Sequence, residues 1–276
     1  MSVGLGLPIA RPEALPDWGR RADDGPFTTL GLLDRLTWHN PEPLVTLAAL
    51  AGATTRIRLQ TEVLLAPLRE PTLLAKQAAT LDRLSGGRFT LGLGVGGRAD
   101  EFELVGADLR ARGRRLDEQM KIMRDIWAGS SVGPAPAREG GPEVVFGAFA
   151  EPALERVARW GDGFLCAAPL SFAGRLFASV EASWSRAGRV GRPRMVAQVN
   201  VALGPESTVD EARAALLAYY GFAGDLATQN AERMLTTPSA VREAVEAFTA
   251  LGADEVILYC WSPDADQVDR LADAVG

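Results

Sequence analysis

Apolar and polar positions follow two periods along the chain. Strand-length runs rich in Val, Ile, Leu and Phe recur at residues 3–9 (VGLGLPI), 29–35 (TLGLLDR), 56–65 (RIRLQTEVLL), 89–95 (FTLGLGV), 144–146, 163–167, 195–203 (MVAQVNVAL) and 255–260 (EVILYC). Between them the spacing turns helical. Leu44, Leu47, Ala48 and Ala51 share one face of a helix expected over 41–53. Leu116, Met120, Met123 and Trp127 share one over 115–127. Further helices are expected over 71–84, where Pro71 suits the first turn, over 100–105, 151–160, 172–187, 239–251 and 264–274, and over 209–219 with Ser207 or Thr208 as cap. Residues 130–142 and 221–237 read as loops.

Strands that alternate with helices pair in parallel, because each helix carries the chain back to the same sheet edge. Eight such units predict an α/β fold, a closed (β/α)8 TIM-type barrel formed by a single domain over residues 1–276. The rival is an open doubly wound sheet, which needs a phosphate loop after its first strand. The stretch VGLGLPIARPE offers GLG but no third glycine, and prolines interrupt it.

Strand parity then says which side chains face the lumen. Along 56–65, Ile57, Leu59, Thr61 and Val63 suit the helix-facing side, so Arg58, Gln60 and Glu62 point inward. An interior ion pair between Arg58 and a neighbouring carboxylate is one expectation. Glu62 lies near the C-terminal strand end, where barrel enzymes carry their chemistry. Along 89–95, Thr90, Gly92 and Gly94 face in, and Gly96 and Gly97 follow at the mouth. Such small residues either leave room for a flat ligand or ease a bulge. Gln198 and Asn200 share the inward parity of their strand, and Asp34, Arg35, Trp38 and His39 stand at the mouth end of the second.

Composition narrows the chemistry. The chain has 276 residues, a formal net charge of −6, one histidine (His39) and two cysteines, Cys166 and Cys260. A multi-histidine metal site within one chain is excluded, so no metal is expected. Two cysteines build no disulfide framework and fit free thiols in a reducing cytoplasm. Acidic balance argues against nucleic acid as a partner, and no apolar run is long enough to span a membrane. The only lysines are Lys76 and Lys121, which leaves few Schiff-base candidates.

The stretch TTRIRLQTEVLLAPLREPTLLAKQAATLDRLSGGRFTLGLGVGG, with DEFELVG and RGRRLDEQ after it, resembles the bacterial-luciferase-like superfamily of flavin- and deazaflavin-dependent oxidoreductases. Looser similarity extends through VFGA and WGDGF. The resemblance implies a TIM-type barrel with a tricyclic ring over the C-terminal mouth. It also implies a non-proline cis peptide at Glu62–Val63, in a bulge where Thr61, Glu62 and Val63 support the ring. The family usually has a small residue at Glu62, so this carboxyl either serves as acid/base at the ring edge or obstructs the ring. The family's histidine after the second strand aligns with Arg35, a candidate anion stabiliser, and His39 stands four residues on as a candidate acid–base. Where some members carry a phosphate-binding arginine there is Val95, with Arg98 as a substitute. Gly94, Gly96 and Gly97 are candidates for close cofactor approach, and Gly147 and Ala148 for phosphate contact through backbone N–H. Glu151, in the same helix turn, opposes a phosphate. The arginines at 110, 112, 114 and 115 are expected to pair with Asp108, Asp117 and Glu118.

The resemblance implies an oxidoreductase, foremost a monooxygenase using reduced FMN and oxygen on a small organic substrate, with a flavin reductase supplying the reduced cofactor. The alternatives are hydride transfer with the deazaflavin coenzyme F-420, and a catalytically silent ligand-binding barrel. It also implies a homodimer, formed through the helices at 41–53 and 71–84.

Overall fold

In the computed structural model, which describes residues 2–129 and 131–276, every strand of the sheet is parallel to its neighbours. The strands are β1 (Ser2–Gly6), β2 (Thr29–Leu32), β3 (Arg58–Thr61), β4 (Leu64–Leu65), β5 (Phe89–Gly94), β6 (Glu143–Gly147), β7 (Gly163–Cys166), β8 (Arg194–Val201) and β9 (Glu255–Cys260). They pair in the order β3-β2-β1-β9-β8-β7-β6-β5-β4, and β3 also pairs with β5, which closes the ring. Because β3 and β4 are two halves of one interrupted strand, the barrel has eight staves, and the open-sheet alternative is excluded.

The helices form the outer layer: α1 (Leu15–Asp24), α2 (Pro43–Ala53), α3 (Pro71–Leu84), α4 (Ala99–Leu104), α5 (Arg112–Trp127), α6 (Glu151–Trp160), α7 (Leu170–Arg186), α8 (Glu206–Tyr220), α9 (Asp225–Glu232), α10 (Pro238–Ala250) and α11 (Gln267–Val275). Glu42 and Glu70 cap α2 and α3 by accepting from Val45 N and Leu73 N at 2.8 and 2.6 Å, and each helix opens with a proline.

Two helices were not expected. In α1 the buried residues Leu15, Trp18, Gly19 and Ala22 keep helical spacing within an otherwise charged segment. Helix α9 falls in the stretch expected to be a loop, with only Ala227 and Ala231 buried. Helix α8 starts earlier than expected, and its cap position is Pro205 with no side-chain bond, so neither Ser207 nor Thr208 caps it. The expected loop at 130–142 begins on a residue outside the described set, and Gly133–Pro134 within it is cis.

The largest departure is in the third strand. It was read as continuous over 56–65, but it breaks between Thr61 and Leu64, and the Glu62–Val63 peptide is cis, as the resemblance implied. Parity fails across the break. Val63 does not face the helices; it packs in the lumen with Leu165, Val196 and Ile257. The inward glycines of β5 make room for this break. A Cβ on Gly92 would lie 1.9 Å from the Thr61 carbonyl oxygen, and one on Gly94 would lie 2.5 Å from Val63 Cγ2.

Below that apolar layer the lumen is charged. Arg194 pairs with Glu143 at 2.9 Å and with Glu255, and Arg58 reaches Glu143 at 3.1 Å. Arg58 therefore has the expected carboxylate partner, but it is exposed at the N-terminal end of the lumen and the pair is not interior. Thr29 and Thr90 donate to Glu255 and Glu143 at 2.7 Å each. The remaining acceptor positions are thus filled, as burial of carboxylates demands. The arginines at 110–115 behave differently from expectation. Arg114 meets Glu118 at 3.7 Å, but Asp117 pairs with Arg156 at 2.9 Å and Asp108 accepts from Arg110 N, because α6 packs beside α5.

The glycine assignment is testable. Gly92→Ala sets a methyl against backbone and is expected to lower unfolding free energy by about 3 kcal/mol. Gly97→Ala, where a Cβ would meet nothing within 4 Å, should change it by under about 0.5 kcal/mol. Urea denaturation of both variants reads the difference; equal effects would contradict the packing described.

Candidate active site

The C-terminal ends of the strands meet around the break in the third strand. Glu62 is 3% exposed, and its side chain lies across Gly31, where a Cβ would approach Glu62 Cγ to 2.5 Å. Gln60 Nε2 donates to Glu62 Oε1, and Gln60 Oε1 accepts from Arg194 Nη1 at 3.4 Å. Glu62 Oε2 is buried with no hydrogen-bond partner. Desolvation pushes the carboxyl up to about 8; Glu255 adds to the rise, while Gln60 and Arg194 oppose it. Burial thus favours the protonated form of Glu62, and Oε2 has no partner to offset the cost of a charge.

Aromatic side chains stand above it. Tyr219 and Tyr220 from the end of α8 stack edge to face with ring centres 4.8 Å apart, and Trp261 lies 5.4 and 5.8 Å from them. Tyr259 packs on Trp261 at 5.5 Å, and its hydroxyl accepts from Leu33 N at 3.3 Å. Burial raises all three phenols, Tyr220 to about 12. They stay protonated across the physiological range.

Arg35 does not project freely into the mouth. Its guanidinium lies 4.7 Å from the ring centres of both Tyr219 and Phe222, and Nη1 meets the fully buried Glu101 at 3.4 Å. Glu101 also accepts from Leu36 N at 2.8 Å. Arg98 lies 5.0 Å from the Phe222 ring centre and binds Asp100. Asp34 accepts from Leu65 N at 2.8 Å and from Arg69 at 2.6 Å, tying β2 to the far half of the broken strand. His39 is exposed and tilted against Trp38, 6.2 Å between ring centres.

Of the expected site residues, the fold brings Thr61, Glu62, Val63, Gly94 and Gly147 together. A Cβ on Gly147 would lie 3.3 Å from Val63. Thr61 is buried and donates to the Gly92 carbonyl at 2.6 Å. Val63, Val95, Gly96 and Gly147 remain partly exposed at the mouth, and Gly97 is open. Ala148 is buried just before α6, whose cap position, Ala150, offers no side-chain acceptor and whose first turn holds Glu151. Arg35 and His39 are not drawn to Glu62. Sequence reasoning passed over Glu101, Tyr219, Tyr220, Phe222 and Trp261. None of these carries a local signal in the sequence, because their partners come from distant segments.

A family model described as luciferase-like monooxygenase matches residues 2–275. The chain belongs to that family. An uncharacterized protein of Mycobacterium tuberculosis is 36% identical over 138 residues, which cover 45% of this chain and 47% of that protein, so the match spans about half of the relative. Two solved structures share the fold. The monooxygenase RslO1 from Streptomyces bottropensis has a TM-score of 0.84 at 21% identity, covering 99% of this chain and 98% of its own. An F-420-dependent secondary alcohol dehydrogenase, solved with an F-420–acetone adduct, has 0.83 at 17%, covering 100% and 98%.

Luciferase-like proteins take a flavin or deazaflavin, and the residues here fit such a ring. Val63, Val95 and Gly96 give a partly exposed apolar floor, Gly97 leaves open space, and the orphaned Glu62 Oε2 lies buried beneath the mouth. Arg98 pairs with Asp100, and Gly147 and Ala148 stand just before α6.

The raised Glu62 value has a measurable sign. Between about 4.5 and about 8 the folded chain holds a proton that the unfolded chain has released, so stability falls as pH rises through that window. Relative to Glu62→Gln, the wild type should lose a few kcal/mol, on the order expected for so buried an acid. Urea denaturation of both proteins between pH 5 and 9 measures it. Parallel stability curves would refute a protonated Glu62.

Proposed function

We propose that the chain is a luciferase-like monooxygenase that uses reduced FMN and oxygen on a small organic substrate, the FMN being reduced by a separate flavin reductase. The observation that carries this reading is a buried carboxyl with an unpaired oxygen beside an aromatic cluster at the barrel mouth. Bound reduced FMN would supply two electrons and the means to activate oxygen.

The protein's part is enclosure and proton placement. Tyr219, Tyr220 and Trp261 exclude water, which favours reactions that water would divert. Glu62 holds a proton on Oε2 at neutral pH and can deliver it to an oxygen at the floor of the mouth. Thr61, Val63, Gly94, Gly96 and Gly97 shape the floor. Arg35 and Arg98 hold Phe222 over the rim, which makes Arg35 a positioning residue rather than an oxyanion partner. A second reading, hydride transfer with coenzyme F-420, is favoured by the lack of a free arginine at the phosphate end.

Self-association follows from α2. Its sequence PLVTLAALAGA carries no charge on any face, and Val45 and Leu73 are 69% and 54% exposed beside a groove of about 290 Å³ between α2 and α3. A helix that is apolar all round belongs in a buried setting. A second copy seated on this face would bury it, giving the homodimer.

Two outcomes check these readings. Anaerobic titration should show saturable binding of reduced FMN, and turnover of a small-molecule panel should require oxygen and fall about 100-fold in Glu62→Gln. Oxygen-independent turnover with reduced F-420 would establish the second reading instead, and binding without any turnover would leave a silent barrel. Sedimentation should find a dimer that becomes a monomer in a Val45→Glu, Leu73→Glu double variant; a monomeric wild type would contradict the interface.

A further inference from the structure

A half-open cavity of about 220 Å³ lies between the ends of β7 and β8 and beside α9. It is smaller than the ~300–1,000 Å³ of sites for drug-sized ligands, so it suits a small molecule. Leu170, Leu235 and Phe248 give it apolar walls. Two polar features break that wall. Gln198, 7% exposed, lines the cavity, and its Oε1 is buried with no hydrogen-bond partner. A buried acceptor left unpaired destabilises the fold, and a ligand donor would relieve that cost. Arg233, exposed at the cavity's open side, is its one charged lining residue; it donates to Gln229 Oε1 at 3.4 Å, and among the described residues it makes no ion pair.

The surroundings favour an anion at that end. No carboxylate lines the cavity. Helix α7 starts at its rim with Pro169 at the cap position, and no side chain accepts from the first turn. The neighbouring carboxamide of Asn200 is already engaged, accepting from Trp261 Nε1 at 2.8 Å, so Gln198 is the unspent acceptor. Gln198 is also the next inward residue of β8 after Val196, which touches Val63 on the floor of the mouth. The cavity and the candidate active site are thus served by neighbouring inward residues of one strand.

We propose that this cavity binds a small carboxylate that also carries a hydroxyl donor, with the carboxylate on Arg233 and the hydroxyl on Gln198 Oε1. That this molecule is the substrate rests on the oxidoreductase reading; that the cavity binds it does not. Chemically, the occupant is a short hydroxy acid or a monocyclic hydroxy-aromatic acid.

The test uses the whole cofactor-free protein. Binding of 3-hydroxybutyrate, 3-hydroxybenzoate and 4-hydroxybenzoate is measured by calorimetry and ligand-observed NMR, beside butyrate, benzoate and 4-hydroxybenzamide. At least one hydroxy acid should bind about tenfold more tightly than its hydroxyl-free partner and than the neutral amide. Gln198→Met should erase the preference for the hydroxyl while leaving affinity for the plain acid within about twofold, and Arg233→Ala should weaken both acids about tenfold. Circular dichroism confirms that each variant is folded, and the wild-type ligand series stands without the variants. Failure of all three hydroxy acids to bind, equal binding of the amide or of inorganic phosphate, or indifference to both substitutions would overturn the proposal. Loss of FMN or F-420 binding would sink the cofactor reading and leave this one standing.

Discussion

The desolvation of one carboxyl group organises this barrel mouth. Glu62 is carried inward by the break in the third strand, lies against a glycine that leaves it room, and finds a single hydrogen bond for two oxygens. Charge in that setting is costly, so the proton stays. The same break turns Val63 into the lumen and makes the neighbouring glycines obligatory. Floor shape and proton inventory are therefore set by one local feature of the backbone.

The lumen below divides the work. Its lowest layer is a charge network centred on Arg194, in which each carboxylate has several partners, while a middle layer of Val63, Leu165, Val196 and Ile257 keeps that network away from the mouth. Gln60 bridges the two, holding Glu62 on one side and Arg194 on the other. The aromatic group above completes the enclosure, so polarity is confined to chosen atoms. Such confinement lets a few groups act strongly, because the low local dielectric magnifies each one.

Much of this architecture was legible from strand and helix periods. The eight staves, the inward Arg58, Gln60 and Glu62, and the carboxylate beside Arg58 all follow from alternation plus the cost of burying charge. Alternation failed where the backbone ceased to be a strand. Nothing in the period of RIRLQTEVLL marks the break at Glu62–Val63, and only the resemblance pointed there. Helix α9 escaped because only two alanines anchor it, and the role of Arg35 because its partners, Glu101, Tyr219 and Phe222, come from distant segments. Long-range pairing of that kind leaves no mark in local spacing.

The similarity to both an oxygenase and a deazaflavin enzyme fits a scaffold in which the barrel is constant and the mouth side chains set the chemistry. Here the distinguishing side chain is the buried acid. Isotope-edited infrared difference spectroscopy, comparing the wild type with Glu62→Gln, reads its state directly. A protonated carboxyl band present at neutral pH, lost only as pH passes about 8 and missing from the variant, is the result the account requires. A carboxylate signal from Glu62 already present at pH 6 would contradict it.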